Sequence, residues 1–385
     1  MKVVIAIDSF KGSLSSIMAG KIATAAIGKV SAEVDTKVYP LADGGEGTVD
    51  ALTDGLDGDI TTVEVIGPLG EKITSRYGRV DDTAIIEMAD AAGLPLVPNE
   101  KRNPLNTTTY GFGELILKAA EDGCREFIIG IGGSATNDCG LGMLTALGFE
   151  FRNDKGFKSG VFGRDLQHIS EIDTSKVNPI IKECHFKIAC DVNNPLTGKN
   201  GCSAVYAPQK GATPEIVSNM DDWISNFAAL AVKTLDVEVE SLAGDGAAGG
   251  LGFAFRTFLN AELVKGVDLV LNLIGIADEL TDADLLITGE GRLDGQSLMG
   301  KAPIGVAQLA KSINNKIVTV AVCGCATDNA VKVHKAGIDA YFPILQAPMS
   351  TEEAMRAEVA EVNLSRTIEE IMRLSLSRCA ESSLS

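Results

Sequence analysis

Continuous apolar runs and helix-spaced apolar positions follow one another along this chain. Val3–Ile7 is apolar at every position, and Met1–Asp8 is too short for a signal-peptide core, so it reads as a first strand buried on both faces. Ser13 caps a predicted helix to about Ile27, and Val34–Leu41 reads as a second strand. The pattern then changes. Thr61–Ile66, Lys72–Val80 and Thr83–Met88 are strand-type stretches, the first two separated by the turn Gly67-Pro68-Leu69-Gly70, which predicts a β-meander. Beyond Tyr110 the spacing predicts a helix, strand Phe127–Ile131, a helix over Leu141–Leu147, and strands Phe186–Asp191 and Cys202–Tyr206. Helices then start at Pro214 and Ala247. After Asp284 the alternation is strict: strands Leu285–Thr288, Lys316–Val322 and Ala340–Ile344, with helices starting at Ala302, Asp328 and Thr351. Ser350 and Glu353 predict a capping box for the last helix.

Apolar strands alternating with helices predict parallel sheets covered on both faces, hence an α/β protein. The two ends share this style and the middle differs. The expected organisation is therefore a discontinuous α/β domain from residues 1–66 and 281–385, with an inserted mixed α/β domain at 67–280. Ligand sites in such folds lie at the carboxyl ends of strands and between domains, which puts the expected site in a cleft between the two.

Composition narrows the partners. Basic residues number 34 and acidic ones 52, a net charge of −18, which disfavours nucleic acid and anionic lipid and asks any anion site for deliberately placed Lys or Arg. No apolar run approaches the roughly 18 residues that span a bilayer. The eight cysteines are scattered except for Cys323-Gly324-Cys325, and three histidines disfavour a zinc centre, so the chain reads as a reduced, cytoplasmic protein.

Candidate chemistry concentrates where strands end. In Gly130–Asp138, Gly132 and Gly133 let backbone N–H groups approach an anion, and the helix predicted from Leu141 aims its positive end there. The loop fits phosphate, and taken alone it fits a tight structural turn equally well. Lys11, in Asp8–Ser13, can reach a phosphate or carboxylate, although in isolation it reads first as a solvated loop lysine. Asp43-Gly44-Gly45-Glu46 places carboxylates around glycines, and Asp43 serves equally as a helix cap. Asn106–Thr109 reads as a cap. Asp191-Val192-Asn193-Asn194 offers a carboxylate that can hold Mg²⁺ or accept a proton, or else an Asx-turn into Pro195. Gly244–Gly249 matches the dinucleotide fingerprint G-x-G-x-x-G, but no strong apolar strand precedes it, which favours close helix packing or a ligand-facing helix start over NAD. Gly295–Ala302 is one residue from a P-loop, with Ala302 in place of the magnesium-binding hydroxyl. Around it, Arg292 and Lys301 beside Glu290 and Asp294 suit phosphate and metal together, or a salt-bridged surface turn.

Taken in order, DSFKGS (8–13), LADGGEGT (41–48), GIGGSATND (130–138), CDVNNPL (190–196), GDGAAGGLG (244–252) and TGEGRLDGQSLMGK (288–301) resemble the type 1 glycerate kinases over nearly the whole chain. The resemblance implies a Rossmann-like or flavodoxin-like domain carrying an inserted second α/β domain. It also implies ATP- and Mg²⁺-dependent phosphorylation of D-glycerate, at the 2-hydroxyl or, alternatively, the 3-hydroxyl. On that reading Gly132, Gly133, Ser134, Thr136, Asn137 and Lys301 hold the nucleotide phosphates. Ser9, Asp43, Gly44, Gly45 and Asn193 face the acceptor, Lys11 and Arg292 clamp it or the moving phosphoryl group, and Asp191 is the base with Asp294 as competitor. Asp191, Asp294 and Glu290 are the metal ligands, and the expected assembly is a monomer or small homo-oligomer. Rival readings are a nicotinamide oxidoreductase and a non-catalytic nucleotide-binding protein.

Overall fold

A computed structural model of the chain describes residues 1–237, 242–295 and 301–382. Its strands run β1 (Lys2–Ile7), β2 (Asp35–Val38), β3 (Asp59–Ile66), β4 (Lys72–Val80), β5 (Thr83–Glu87) and β6 (Glu126–Gly130). They continue as β7 (Glu150–Arg152), β8 (Glu171–Asp173), β9 (His185–Ala189), β10 (Glu262–Val264), β11 (Leu285–Leu293), β12 (Val318–Ala326) and β13 (Ala340–Pro343). The chain divides into two compact units. One comprises Met1–Asp43, Asp54–Leu56 and Val267–Ser385, the other Gly44–Thr53 and Asp57–Gly266.

The first unit is built on a five-stranded parallel sheet of order β13-β12-β11-β1-β2. This is the flavodoxin-like order: the chain winds outward from β1 to one edge, then returns beside β1 and winds to the other. The switch therefore lies between β1 and β11, and the segments leaving those strands start side by side. Val3, Val4, Ile5, Ala6 and Ile7 are all buried, as a strand covered on both faces requires. One covering layer pairs helix Ser16–Val30 with helix Ala357–Ser382, joining Ala19, Ala23 and Ile27 to Leu364 and Ile368. Ser16 pins the functional end of this sheet. Its hydroxyl donates to Ile7 O (2.6 Å) and accepts from Leu41 N (2.8 Å), so one buried side chain fixes where the chain leaves β1 and where it passes after β2.

The second unit carries a six-stranded mixed sheet of order β10-β9-β6-β5-β4-β3. Strands β3, β4 and β5 form the antiparallel meander, while β5, β6, β9 and β10 are parallel. The pairing of β3 with β4 attaches residues 59–66 to this unit, whereas the sequence pattern drew the boundary at 66. Aromatic side chains fill the core, with Phe112 against Phe255 (5.9 Å between ring centroids) and Phe127 against Phe186 (4.9 Å).

Several local expectations need correction. Ser15, not Ser13, caps the first helix, accepting from Met18 N (3.2 Å). Residues 10–14 instead close a tight turn through Phe10 N to Leu14 O and Ser13 N to Phe10 O. Cys202–Tyr206 is a short helix, not a strand, because five residues are too few for periodicity to separate the two. The segment from Asp328 is 3-10 helix, and the last predicted helix is split into Thr351–Ala354 and Ala357–Ser382. Strand β11 runs past Thr288 to Leu293, so Glu290 and Arg292 lie on a strand rather than a loop. No helix among the described residues is long and apolar enough to cross a membrane.

Replacing Ser16 with alanine removes both bonds and strands the buried Leu41 N–H, so Ser16→Ala is expected to lower stability by about 1–3 kcal/mol in chemical denaturation.

Candidate active site

In the second unit, parallel pairing brings the ends of three strands level: Glu87 of β5 pairs with Gly130 of β6, and Gly130 with Ala189 of β9. The chain packs tightly just beyond this edge. A Cβ on Gly130 would run into the carbonyl oxygen of Gly44, and one on Gly44 (φ +85°) would lie 2.5 Å from Ala189 Cβ. Glycine at both positions is what lets these backbones meet.

The loop after β6 has an outer and an inner half. Gly132 and Gly133 are exposed, and Ser134 follows at 7% exposure. Gly133 O accepts from Leu94 N (2.8 Å) and Ala135 N donates to Ala92 O (2.9 Å), which holds the outer half in place. Thr136 and Asn137 are completely buried, and the Asn137 amide donates to Ser203 Oγ (2.9 Å). Asp138 is buried as well. It accepts from Thr109 N (2.9 Å), Thr109 Oγ1 (2.8 Å), Gly140 N (3.3 Å) and Gly142 N (3.3 Å). Gly132 and Gly133 are therefore the exposed part of this motif, and the Asn137 amide and Asp138 carboxylate tie its inner half, while Thr136 Oγ1 and Asn137 Oδ1 are buried with no partner among the described residues.

Lys210 was not legible as a site residue. Its ammonium, 2% exposed, donates to Ser134 Oγ and Thr136 O, both at 2.6 Å, and burial pulls its pKa down to about 8. At neutral pH this places a positive charge against Ser134 Oγ and the Thr136 carbonyl, next along the chain from the exposed glycines. The only cue in the sequence was a lone lysine in the segment Pro208–Gly211, far along the chain.

Asp191 and Asn193 follow β9 and are exposed. The Asp191 carboxylate accepts from Gly266 N (3.0 Å). Glu87, also missed, accepts from Val49 N (2.8 Å), and its pKa is raised to about 7 by burial, with Asp90 and Asp50 adding to the rise. Next to it Arg76 makes a two-pronged bond to Asp50 (2.5 and 2.8 Å) and a third to Asp90 (3.1 Å). A single acid ending the apolar strand Thr-Ala-Ile-Ile-Glu was the available signal. In the fingerprint segment Gly244–Gly249, Gly244–Gly246 are turn residues, and residues 238–241 upstream lie outside the described residues. Gly246 N donates to Asn194 O (3.0 Å), Cys139 N donates to Gly249 O (3.0 Å), and a Cβ on Gly249 would strike Thr136 O. The segment clamps the two neighbouring loops, which is one of the two roles its sequence context favoured.

In the first unit the groups gather at the switch between β1 and β11. Asp8 N donates to Gly289 O (2.9 Å), and Asp8 Oδ1 accepts from Ser9 N (2.6 Å). The Asp8 pKa is raised to about 7, first by burial and then by the charges of Asp43 and Glu290, while the Ser9 N–H and Lys11 draw it down. Asp8, Lys11, Asp43 and Glu290 thus share one electrostatic neighbourhood. Lys301 reaches Glu290 at 3.4 Å, and Arg292 reaches Asp294 at 3.6 Å from a largely exposed position. Residues 296–300 of the near P-loop segment lie outside the described residues. Among the described residues no group of three or more His, Cys, Asp or Glu side chains is arranged as a metal cage.

Residues 3–376 match the model of the glycerate kinase family. The chain is 44% identical to a glycerate kinase of Haemophilus influenzae over 376 residues, covering 97% of this chain and 98% of that one. It is 44% identical over 358 residues to a protein of Escherichia coli named glycerate 2-kinase, covering 92% and 93% of the two. The crystal structure of a candidate glycerate kinase 2 from Salmonella typhimurium LT2 superimposes with a TM-score of 0.90 at 42% identity, covering 99% of both chains.

Burial of the Lys210 amine predicts a pH signature. Between pH about 8 and 10.5 the unfolded chain binds a proton that the folded one has shed, so folding becomes more favourable as pH rises across that window. Denaturant unfolding at successive pH values should show this rise in the wild type and lose it in Lys210→Met.

Proposed function

Because the chain belongs to the glycerate kinase family, we propose that it transfers the γ-phosphoryl group of ATP to D-glycerate, at the 2-hydroxyl. The observation that carries this reading is the first unit's sheet order, which sets Asp8–Lys11 and Glu290–Asp294 on either side of the topological switch, where α/β folds take ligands. The name of the Escherichia coli relative supports the 2-position. We take the two units as the two domains of the protein. Both sets of loops serve one reaction in this proposal, and the described cysteines, all free thiols, agree with a cytoplasmic setting.

Phosphoryl transfer asks the protein mainly to align reactants and to neutralise charge. The exposed backbone of Gly132 and Gly133 and the hydroxyl of Ser134, backed by the Lys210 ammonium, supply donors for nucleotide phosphates. Lys301 adds a cation. Lys11 and Arg292 clamp the acceptor carboxylate or the moving group, with Ser9, Asp43, Gly44, Gly45 and Asn193 contributing to the acceptor's surroundings. The 2-hydroxyl oxygen forms a bond to the γ-phosphorus as the bond from that phosphorus to the ADP oxygen breaks, and the hydroxyl proton passes to a carboxylate. Asp191 is assigned that proton and Asp294 competes for it. Asp8, its carboxyl raised by burial to about 7, is proposed as a further acceptor.

The donor set fits Mg²⁺. Glu290, Asp294 and Asp191 offer hard carboxylate oxygens, the crowding of Asp8, Asp43 and Glu290 is what a divalent cation relieves, and kinase magnesium needs only one or two protein carboxylates beside phosphate. When bound, the ion screens phosphate charge.

Steady-state ADP release with glycerate tests the reading. Lys11→Ala and Arg292→Ala are expected to cut kcat/KM on the order of 10³-fold with the fold intact, and wild-type values for both would remove them from the site. Near-normal turnover in Asp191→Asn would hand its role to Asp294 or Asp8. Phosphorus NMR of the product names the acceptor oxygen. A 3-phosphate would overturn the regiochemistry, and the absence of ADP release would leave a nucleotide-binding protein.

A further inference from the structure

One cavity gathers cations on a chain whose acids outnumber its bases by 52 to 34. It lies within the second unit, encloses about 580 Å³, and is lined by Lys101, Arg102, Asn103, Asn106, Phe162 and Arg164. None of these residues takes part in the site described above.

The hydrogen bonds around the cavity leave it rich in donors and poor in acceptors. Asn103 Oδ1 accepts from Leu105 N (3.0 Å) and Asn106 Oδ1 accepts from Arg164 Nη1 (2.6 Å), so both amide oxygens are engaged by the fold. Their amide nitrogens have no partner among the described residues, and each is a double donor. Arg102 Nε is buried and likewise has none. Burying a guanidinium N–H without an acceptor is unfavourable unless something supplies one. Arg164 is held with its guanidinium 4.7 Å from the centre of the Phe162 ring, which limits the directions in which its remaining N–H groups can point. The cavity's one carboxylate, Glu100, is exposed.

Two guanidinium groups, one ammonium and two amides exceed what a single carboxylate can accept, because one arginine fork already satisfies its two oxygens. A phosphate group, with three terminal oxygens and close to two negative charges, matches the donor count. Leu69 and the Phe162 ring add apolar wall beside the charges, suited to a small organic body. We propose that this cavity binds a small phosphate monoester.

Calorimetric titration of the full chain tests the proposal, using 2-phosphoglycerate, inorganic phosphate and glycerate as probes. The Lys11→Ala/Arg292→Ala chain serves as background, to suppress binding at the first unit's loops. Saturable binding of 2-phosphoglycerate is expected there, weakened at least ten-fold by adding Arg164→Gln or Arg102→Gln, with no binding of glycerate. Arg164 is exposed, so its variant carries the test should Arg102→Gln fail to fold. Unchanged affinity in the Arg164→Gln chain, or glycerate binding as tightly as the ester, would overturn the proposal. Inorganic phosphate binding as tightly as the ester would assign the cavity to the free anion and overturn the ester assignment. The kinase reading stands or falls separately, on ADP release by the wild type.

Discussion

A parallel sheet covered on both faces leaves polar side chains one place to concentrate, the space beyond its strand ends. Every residue from Val3 to Ile7 is buried, so β1 can carry no chemistry along its length, and polarity begins at Asp8. The same holds for Phe127–Ile129 of β6, where chemistry begins with the glycines. Registration then does the assembling. Once Ile7 pairs with Gly289, and Glu87 with Gly130 and Gly130 with Ala189, residues 43 to 282 positions apart in sequence come level without any direct attraction between them.

The two units solve an electrostatic problem in opposite ways. A chain with a net charge of −18 repels anions at long range, so local charge has to overrule the global field. In the second unit the counter-charge is internal: Lys210 is withdrawn from water and reaches the outer loop only through Ser134 and a carbonyl. In the first unit the arrangement is anionic at its centre, where burial and the charges of Asp43 and Glu290 raise the proton affinity of Asp8, while Lys301 and Arg292 stand at the margin. On the proposed function, one unit would meet phosphate oxygens directly, and the other a cation that accompanies them.

Much of this was legible in the sequence because strand ends announce themselves. An apolar run breaking into glycine and acid marked the segments leaving β1, β6 and β9, and with them Lys11, Gly132 and Asp191, whereas Asp8 stood out only through its burial beside Asp43 and Glu290. What escaped had no local signature. Lys210 earns its place through burial against a loop some seventy residues earlier, and Glu87 through its position at the end of a strand, neither of which periodicity encodes. Thr136 and Asn137 show the converse. Their polar character suggested contact with a ligand; both side chains are buried, the Asn137 amide donates to Ser203 Oγ, and Thr136 Oγ1 and Asn137 Oδ1 have no partner among the described residues. The short helix 202–206 was misread for want of length, and the extension of β11 through Leu293 was hidden by glycines that usually end strands.

Asp138 has a consequence for selectivity. Its carboxylate is closed off by four internal donors, so the turn it organises is already rigid before any ligand arrives. Such a turn loses little conformational entropy on capture, and it has little capacity to reshape itself around a poor guest. On the proposed function, choice among nucleotides would then reside in whatever surrounds the base and sugar, and the cradle itself would treat all polyphosphates alike.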